Sequence, residues 1–276
     1  MKPTMNNFRI EIAFIILVIL ISIGGFWELF LGVDANPNGF HYLHLFTSLI
    51  WLILLFLQLI YIQKKKFALH RYIGLAIFLL GPLIVATVAV LSVHSAYEAM
   101  VSGQEDMLIV QNIMVTIELG IIILLAFGLR NNRKLHGNFL MSSAILFFGI
   151  ALVFFLVSFI PQFKIEGPET FYRFLTAAST SRWICVAISV FFFFKDIRNG
   201  WPWIIVGSFF FINEFINSMV RTSDGIKPLT DFIGAINQTG TFILVLMGFL
   251  ALLIKAWQRG INKKLTKKIK FNKRQT

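Results

Sequence analysis

Five histidines are the residues of this chain best suited to chemistry. His41 and His44 open an apolar run as H-x-x-H, and at i, i+3 they share one helical face. His70 and His136 each follow a leucine just after a basic run, in KKKFALHRYIG (64–74) and NRKLHGNFLM (132–141). His94 stands at the far end of the segment that His70 begins, one turn before Glu98. Imidazole with carboxylate suits zinc or copper, so His41, His44, His94 and Glu98 form a candidate metal site. His70 and His136 on separate helices could instead clasp one haem iron axially, with nearby Lys and Arg for its propionates. The competing reading of every one of them is an interfacial imidazole that touches lipid phosphate or bonds a neighbouring helix end. His70 and His94 cannot serve one ion, because a straight helix sets them about 36 Å apart.

Ionisable residues inside apolar runs are the second candidate. Each costs roughly 2.5–3.5 kcal/mol to insert into a bilayer, which suggests a function by default. Glu118 lies near the middle of its run, with Gln111 two turns earlier on the same face. FFFINEFINSMVR (209–221) carries Asn213, Glu214, Asn217 and Arg221, and the preceding run brings Arg173, Thr176, Thr180 and Arg182 to comparable depth from the opposite direction. Asn237, Gln238 and Thr239 extend the polar zone into the last run. Glu118, Arg182, Asn213, Glu214 and Asn217 are therefore expected to form an intramembrane polar pocket. In it Arg182 and Glu214 pair, Arg182 can hold an anionic group, and Glu118 or Glu214 can carry protons. A quinone, a lipid headgroup or a transported solute would fit. The alternative is a set of structural bridges, although hydrogen bonds between membrane helices contribute only about 0.6 kcal/mol each.

The elements that must position these groups are apolar helices. The 276 residues are 57% hydrophobic and 14% charged, with mean hydropathy +0.79. The reading is an all-α integral membrane protein with eight spans, 10–31, 40–62, 72–95, 107–129, 138–160, 172–194, 201–221 and 231–257, each near the ~20 residues a bilayer requires. A basic tail, 259–276, follows a single polytopic domain over 1–258. The first run is long and lacks a small-x-small cleavage site, so it reads as a retained helix. One cysteine, Cys185, excludes an internal disulfide framework.

Basic residues flanking helix ends stay in the cytoplasm. Of the 25 basic residues, only Lys164, Arg173, Arg182, Arg221 and Lys227 fall outside one alternating set of connections and ends. Asp34, Glu98, Glu105, Asp106, Glu166, Glu169, Asp224 and Asp231 populate the other set. This places both termini in the cytoplasm of a bacterial inner membrane. The net charge of +12 then needs no nucleic acid, since anionic headgroups account for it.

Aligning His70 with His136 superposes ALHRYIGLAIFLLG on KLHGNFLMSSAILF, a weak hairpin repeat of 40–95 over 107–160. H-x-x-H, then Trp51 and Gln58, LHR-x-x-G, and a later basic-LH-x-x-x-x-M together resemble uncharacterised bacterial membrane proteins with a histidine-bearing four-helix core. Those are distantly similar to cytochrome b561-type proteins. The resemblance covers about 40–160 and implies haem ligation by His44, His70 and His136 on spans two, three and five. Span four carries no histidine. The expected architecture is this core, spans two to five, beside a bundle of spans six to eight.

No phosphate-binding glycine loop, G-x-S-x-G or H-E-x-x-H is present, so ATP-driven and familiar hydrolase chemistry have no support. Three readings remain: a haem b- or metal-binding redox component, a proton-linked transporter or channel using an outward pocket, and a non-catalytic assembly protein.

Overall fold

The computed structural model describes residues 8–33 and 35–272, with side chains described to Gln258. Lys2 and Asp34 of the charge argument lie outside those residues, as do Lys273 and Arg274. Ten α-helices connect in order: α1 Arg9–Gly25, α2 Trp27–Leu31, α3 Gly39–Gln63, α4 Phe67–Val101, α5 Ile109–Gly128, α6 Arg133–Phe159, α7 Tyr172–Lys195, α8 Trp201–Thr222, α9 Ile226–Gly234 and α10 Gln238–Asn272. Two short 3-10 turns lie between α6 and α7, and no strand occurs among the described residues.

Among the described residues, seven helices are long and apolar enough to cross a membrane, against the eight expected. The difference is the first run. Its helix stops at Gly25 and restarts as the five-residue α2, which leaves α1 with 17 residues. Two consecutive glycines weaken a helix by about 1 kcal/mol each relative to alanine. Gly25 also packs directly on the backbone of α6, where a Cβ would collide with the Ala151 carbonyl. The break therefore serves a close helix crossing.

α6 is the central helix, with α1, α3, α5, α7 and α8 all packed on it. Hairpins α3–α4 and α5–α6 lie side by side through α4–α5 and α3–α6 contacts. Trp51 and Ser143, both buried, join α3 to α6 through an indole N–H donated to the hydroxyl at 3.0 Å. Ser181 on α7 donates to the Gly149 carbonyl of α6 at 2.7 Å.

The expected bundle of the last three spans does not form. α7 and α8 pair, but α10 packs on α4 and α5. The surface it meets is thin: a Cβ on Gly81 would stand 3.7 Å from Leu253 and one on Gly120 3.2 Å from Phe249. Helix α9 carries the chain there, lying on α4 with Gly234 against the Ala96 carbonyl. Asn237, Gln238 and Thr239 therefore do not join the polar groups of α7 and α8. The last helix continues to Asn272, through most of the expected tail.

At the end of the bundle that holds the basic turns, two ion pairs tie α7 down. Lys195 Nζ reaches Glu11 at 2.7 Å, and Lys134 Nζ reaches Asp196 at 2.9 Å. Burial works against the charged form of Asp196. The Lys134 ammonium and the Asn199 amide outweigh it and hold the carboxyl below its ordinary range. A depressed carboxyl stabilises above its unfolded pKa and loses that contribution as pH falls through its folded one. Asp196→Ala is expected to cost within about 1 kcal/mol at neutral pH. The cost should begin to shrink as pH falls through about 4, near the unfolded pKa of an aspartate, and disappear only below the lower folded one. Thermal unfolding in detergent at the two pH values checks it.

Candidate functional site

At the other end of the bundle, away from the basic turns, eight helices, α1 to α8, line a cavity of about 960 Å³. Its lining on α3 runs from His41 to Leu52 and on α5 from Leu108, just before the helix, to Leu119, about 16 Å along each. The cavity thus reaches from this end roughly to mid-bundle. Most of the wall is aliphatic or phenylalanine, with a few polar groups converging, the usual make-up of a small-molecule site. The segment from Phe26 through α2 to Pro37 lines the mouth.

Residues from two separate sequence-level sites meet in this one space. His41 and His44 line it from α3, Glu118 from α5, Arg182 from α7, and Asn213 and Glu214 from α8. Gln111, Asn112, Val115, Glu118 and Leu119 all face it, a stripe with the spacing of one helical face. Asn217 is partly buried and is not part of the lining. Arg221 lies farther along α8, beside Glu105 and Asp224 in a separate small cleft.

The charges are arranged unequally. Arg182 pairs with Glu214 at 3.1 Å, with 21% and 52% of the two side chains exposed. Glu118 is 1% exposed, and neither of its carboxylate oxygens has a hydrogen-bond partner among the described residues. The Asn213 amide, 2% exposed, is the neighbouring group placed to donate to that carboxyl, while its own Oδ1 is without a donor. An ionised carboxylate so placed costs several kcal/mol unless a proton, a cation or a further donor meets it. Beyond Asn213 the described residues offer it no partner, so the rest of its complement is a proton or a group that enters from the cavity.

The histidines divide differently from the sequence expectation. His41 caps a helix: the Asn38 side chain accepts from the backbone N–H of Phe40 and of His41, and His41 Nδ1 closes back on the Asn38 N–H at 3.4 Å. This is a capping box with imidazole in the place usually taken by Glu or Gln. The Asn38 amide also donates to His94 Nε2, which sets the His94 ring proton on Nδ1. His94 Nε2 is 3.9 Å from Glu98, and the His41 and His94 ring centres are 5.7 Å apart. His44 Nε2 lies 3.4 Å from the Ser48 hydroxyl. Among the described residues no three His, Cys, Asp or Glu side chains form a group that could hold a metal ion. The expected set of His41, His44, His94 and Glu98 is not brought together as such a group among the described residues; instead Asn38 contacts both His41 and His94.

The inner-tier pair, His70 and His136, lies at the basic end, outside the cavity. His136 Nδ1 donates to the Ala126 carbonyl at 2.8 Å and its ring packs on Phe127. Phe127 packs in turn on Phe78 and Trp257. These rings pack at the interface of α4, α5 and α10 beside His136, and His70 and His136 stand near enough for their charges to interact. His44 is at the opposite end of the bundle and adds no third ligand to that pair. The backbone around His70 is used structurally: the buried Gln58 amide donates to its carbonyl at 3.0 Å. Along α3, His44 and Ser48 face the cavity, whereas Trp51, Leu55 and Gln58 farther on are buried between helices.

Sequence reasoning missed Asn38, the mouth segment around α2, and Phe209 and Phe210 in the wall. The turn NPNG before an apolar run was a legible signal for Asn38 as a helix cap. Nothing local distinguished cavity phenylalanines from packed ones.

The chain matches no protein-family model, no curated protein and no solved structure. The site must therefore be read from its own geometry.

Proposed function

We propose that this protein is a proton-linked carrier of a small molecule in a bacterial inner membrane. Its basic turns face the cytoplasm and bind anionic headgroups, and its cavity opens on the opposite side. One observation carries the reading. A buried carboxyl with only the Asn213 amide beside it, Glu118, sits in the wall of a large, mostly apolar cavity that ends near mid-bundle. Site and access on one side are what alternating exposure of a substrate requires. Glu118 takes and releases the proton. The Arg182–Glu214 pair keeps the neighbouring charge balanced, and the α2 segment covers the mouth.

The native thiol permits a substrate-free test, because Cys185 is fully buried. In a Cys185→Ser background, Ala178→Cys places a reporter in the wall. A membrane-impermeant maleimide added from the cavity side should label it. The labelling rate, normalised to an exposed Ser102→Cys control, should change with pH. Glu118→Gln should abolish that residual pH dependence. An unlabelled Ala178→Cys, or a pH dependence untouched by Glu118→Gln, would contradict the proposal.

A further inference from the structure

The unsatisfied groups of the cavity also define what it takes. We infer that its ligand is an organic cation: a protonated amine on an apolar, preferably aromatic, body. The inference rests on the carrier reading and adds the substrate class.

Four buried atoms of the lining lack a partner: both carboxylate oxygens of Glu118, Oδ1 of Asn213, and Nδ1 of His44 nearer the mouth. The first three are acceptors on adjacent side chains of α5 and α8, so what that cluster lacks is a hydrogen-bond donor. An ammonium supplies up to three donors and a positive charge together. Anions are disfavoured by the same arithmetic. Arg182 is neutralised by Glu214 at 3.1 Å. The remaining ionisable groups of the lining are Glu28, Glu118, His41 and His44. The two imidazoles lie at the mouth, on the first turns of α3, and His41 is engaged by Asn38. The charge left over at depth is therefore negative.

The walls suit the rest of such a molecule. Phe209 and Phe210 precede Asn213 by one turn and line the cavity, and Phe147 on α6 lines it too. Aromatic faces attract organic cations through the ring quadrupole, more strongly when water is excluded. About 960 Å³ lies at the upper end of the 300–1,000 Å³ that small-molecule sites occupy.

The test uses the full chain in lipid nanodiscs with two probes of similar shape and opposite charge, 2-phenylethylamine and 3-phenylpropionate. Titration calorimetry should show amine binding at least 10-fold tighter than carboxylate binding. Glu118→Gln should weaken the amine at least 10-fold, and Asn213→Leu should weaken it while leaving the carboxyl in place. The amine should also protect Ala178→Cys from maleimide, which locates it in the cavity. Equal or tighter binding of the carboxylate, no binding of the amine, or amine affinity unchanged in both variants would overturn the inference. Those results leave the pH-dependent labelling of the empty cavity intact, so the ligand class can fail while the carrier reading stands.

Discussion

Glu118→Gln is expected to make the protein more stable while removing its function. In the native chain the Glu118 carboxyl has only the Asn213 amide beside it, and Asn213 Oδ1 has no donor. An unsatisfied buried polar group costs about 1–3 kcal/mol. A glutamine side chain of nearly the same shape brings an N–H₂ group that can donate to Asn213 and carries no charge to desolvate. We expect a gain of about 1–3 kcal/mol, read as a higher unfolding midpoint, together with loss of pH-dependent labelling and of amine binding. A carboxyl that served to hold α5 to α8 would give the opposite sign, a less stable variant. Stability thus distinguishes a functional carboxyl from a structural one without knowledge of the substrate. Proteins commonly sacrifice stability at such sites.

Gly25→Val is expected to have the largest destabilising effect of any single change outside the cavity. A Cβ at Gly25 would overlap the Ala151 carbonyl and stand 3.1 Å from the Phe155 backbone nitrogen. Both obstacles are main chain in the central helix, so no rotamer change relieves them and α1 must move. α1 brings Phe14, Ile15 and Val18 into the core, where Phe14 packs on Phe148, Phe192 and Trp203. Overpacking of a core costs about 1–3 kcal/mol and occasionally more, and a backbone collision belongs at the upper end. Ser22 and Phe26 of the cavity wall would move with α1. Gly248→Ala is the control: nothing lies within 4 Å of a Cβ there. It should be neutral or stabilising by about 0.5–1 kcal/mol. Unfolding midpoints of the two variants in one detergent check the contrast.

How much of this was legible in the sequence depends on the kind of signal. Apolar length located the spanning helices, since a bilayer sets a minimum that a helix either meets or does not. Counting depth along two antiparallel runs placed Arg182 level with Glu214, and the spacing of Gln111 and Glu118 put both on one face. Those relations follow from helix geometry alone. Lateral neighbours did not follow from it. α10 could pack on α7 and α8 or on α4 and α5, and the choice turns on Gly81, Gly120 and the placement of α9, which hydropathy does not record. The histidines misled for a related reason. H-x-x-H describes a metal site and a helix start equally well, and the deciding residue, Asn38, lies outside the pattern. The two buried polar groups left short of partners, Glu118 and Asn213, became visible only once neighbouring helices were in place.

The central claim is that the Glu118 carboxyl faces an accessible cavity and exchanges its proton there. Infrared difference spectroscopy between acid and alkaline pH tests it most directly. The account predicts a carboxylic C=O band that shifts promptly on transfer to D₂O and is absent in Glu118→Gln. A band that persists in the variant, or one that resists deuterium exchange in the folded protein, would contradict it.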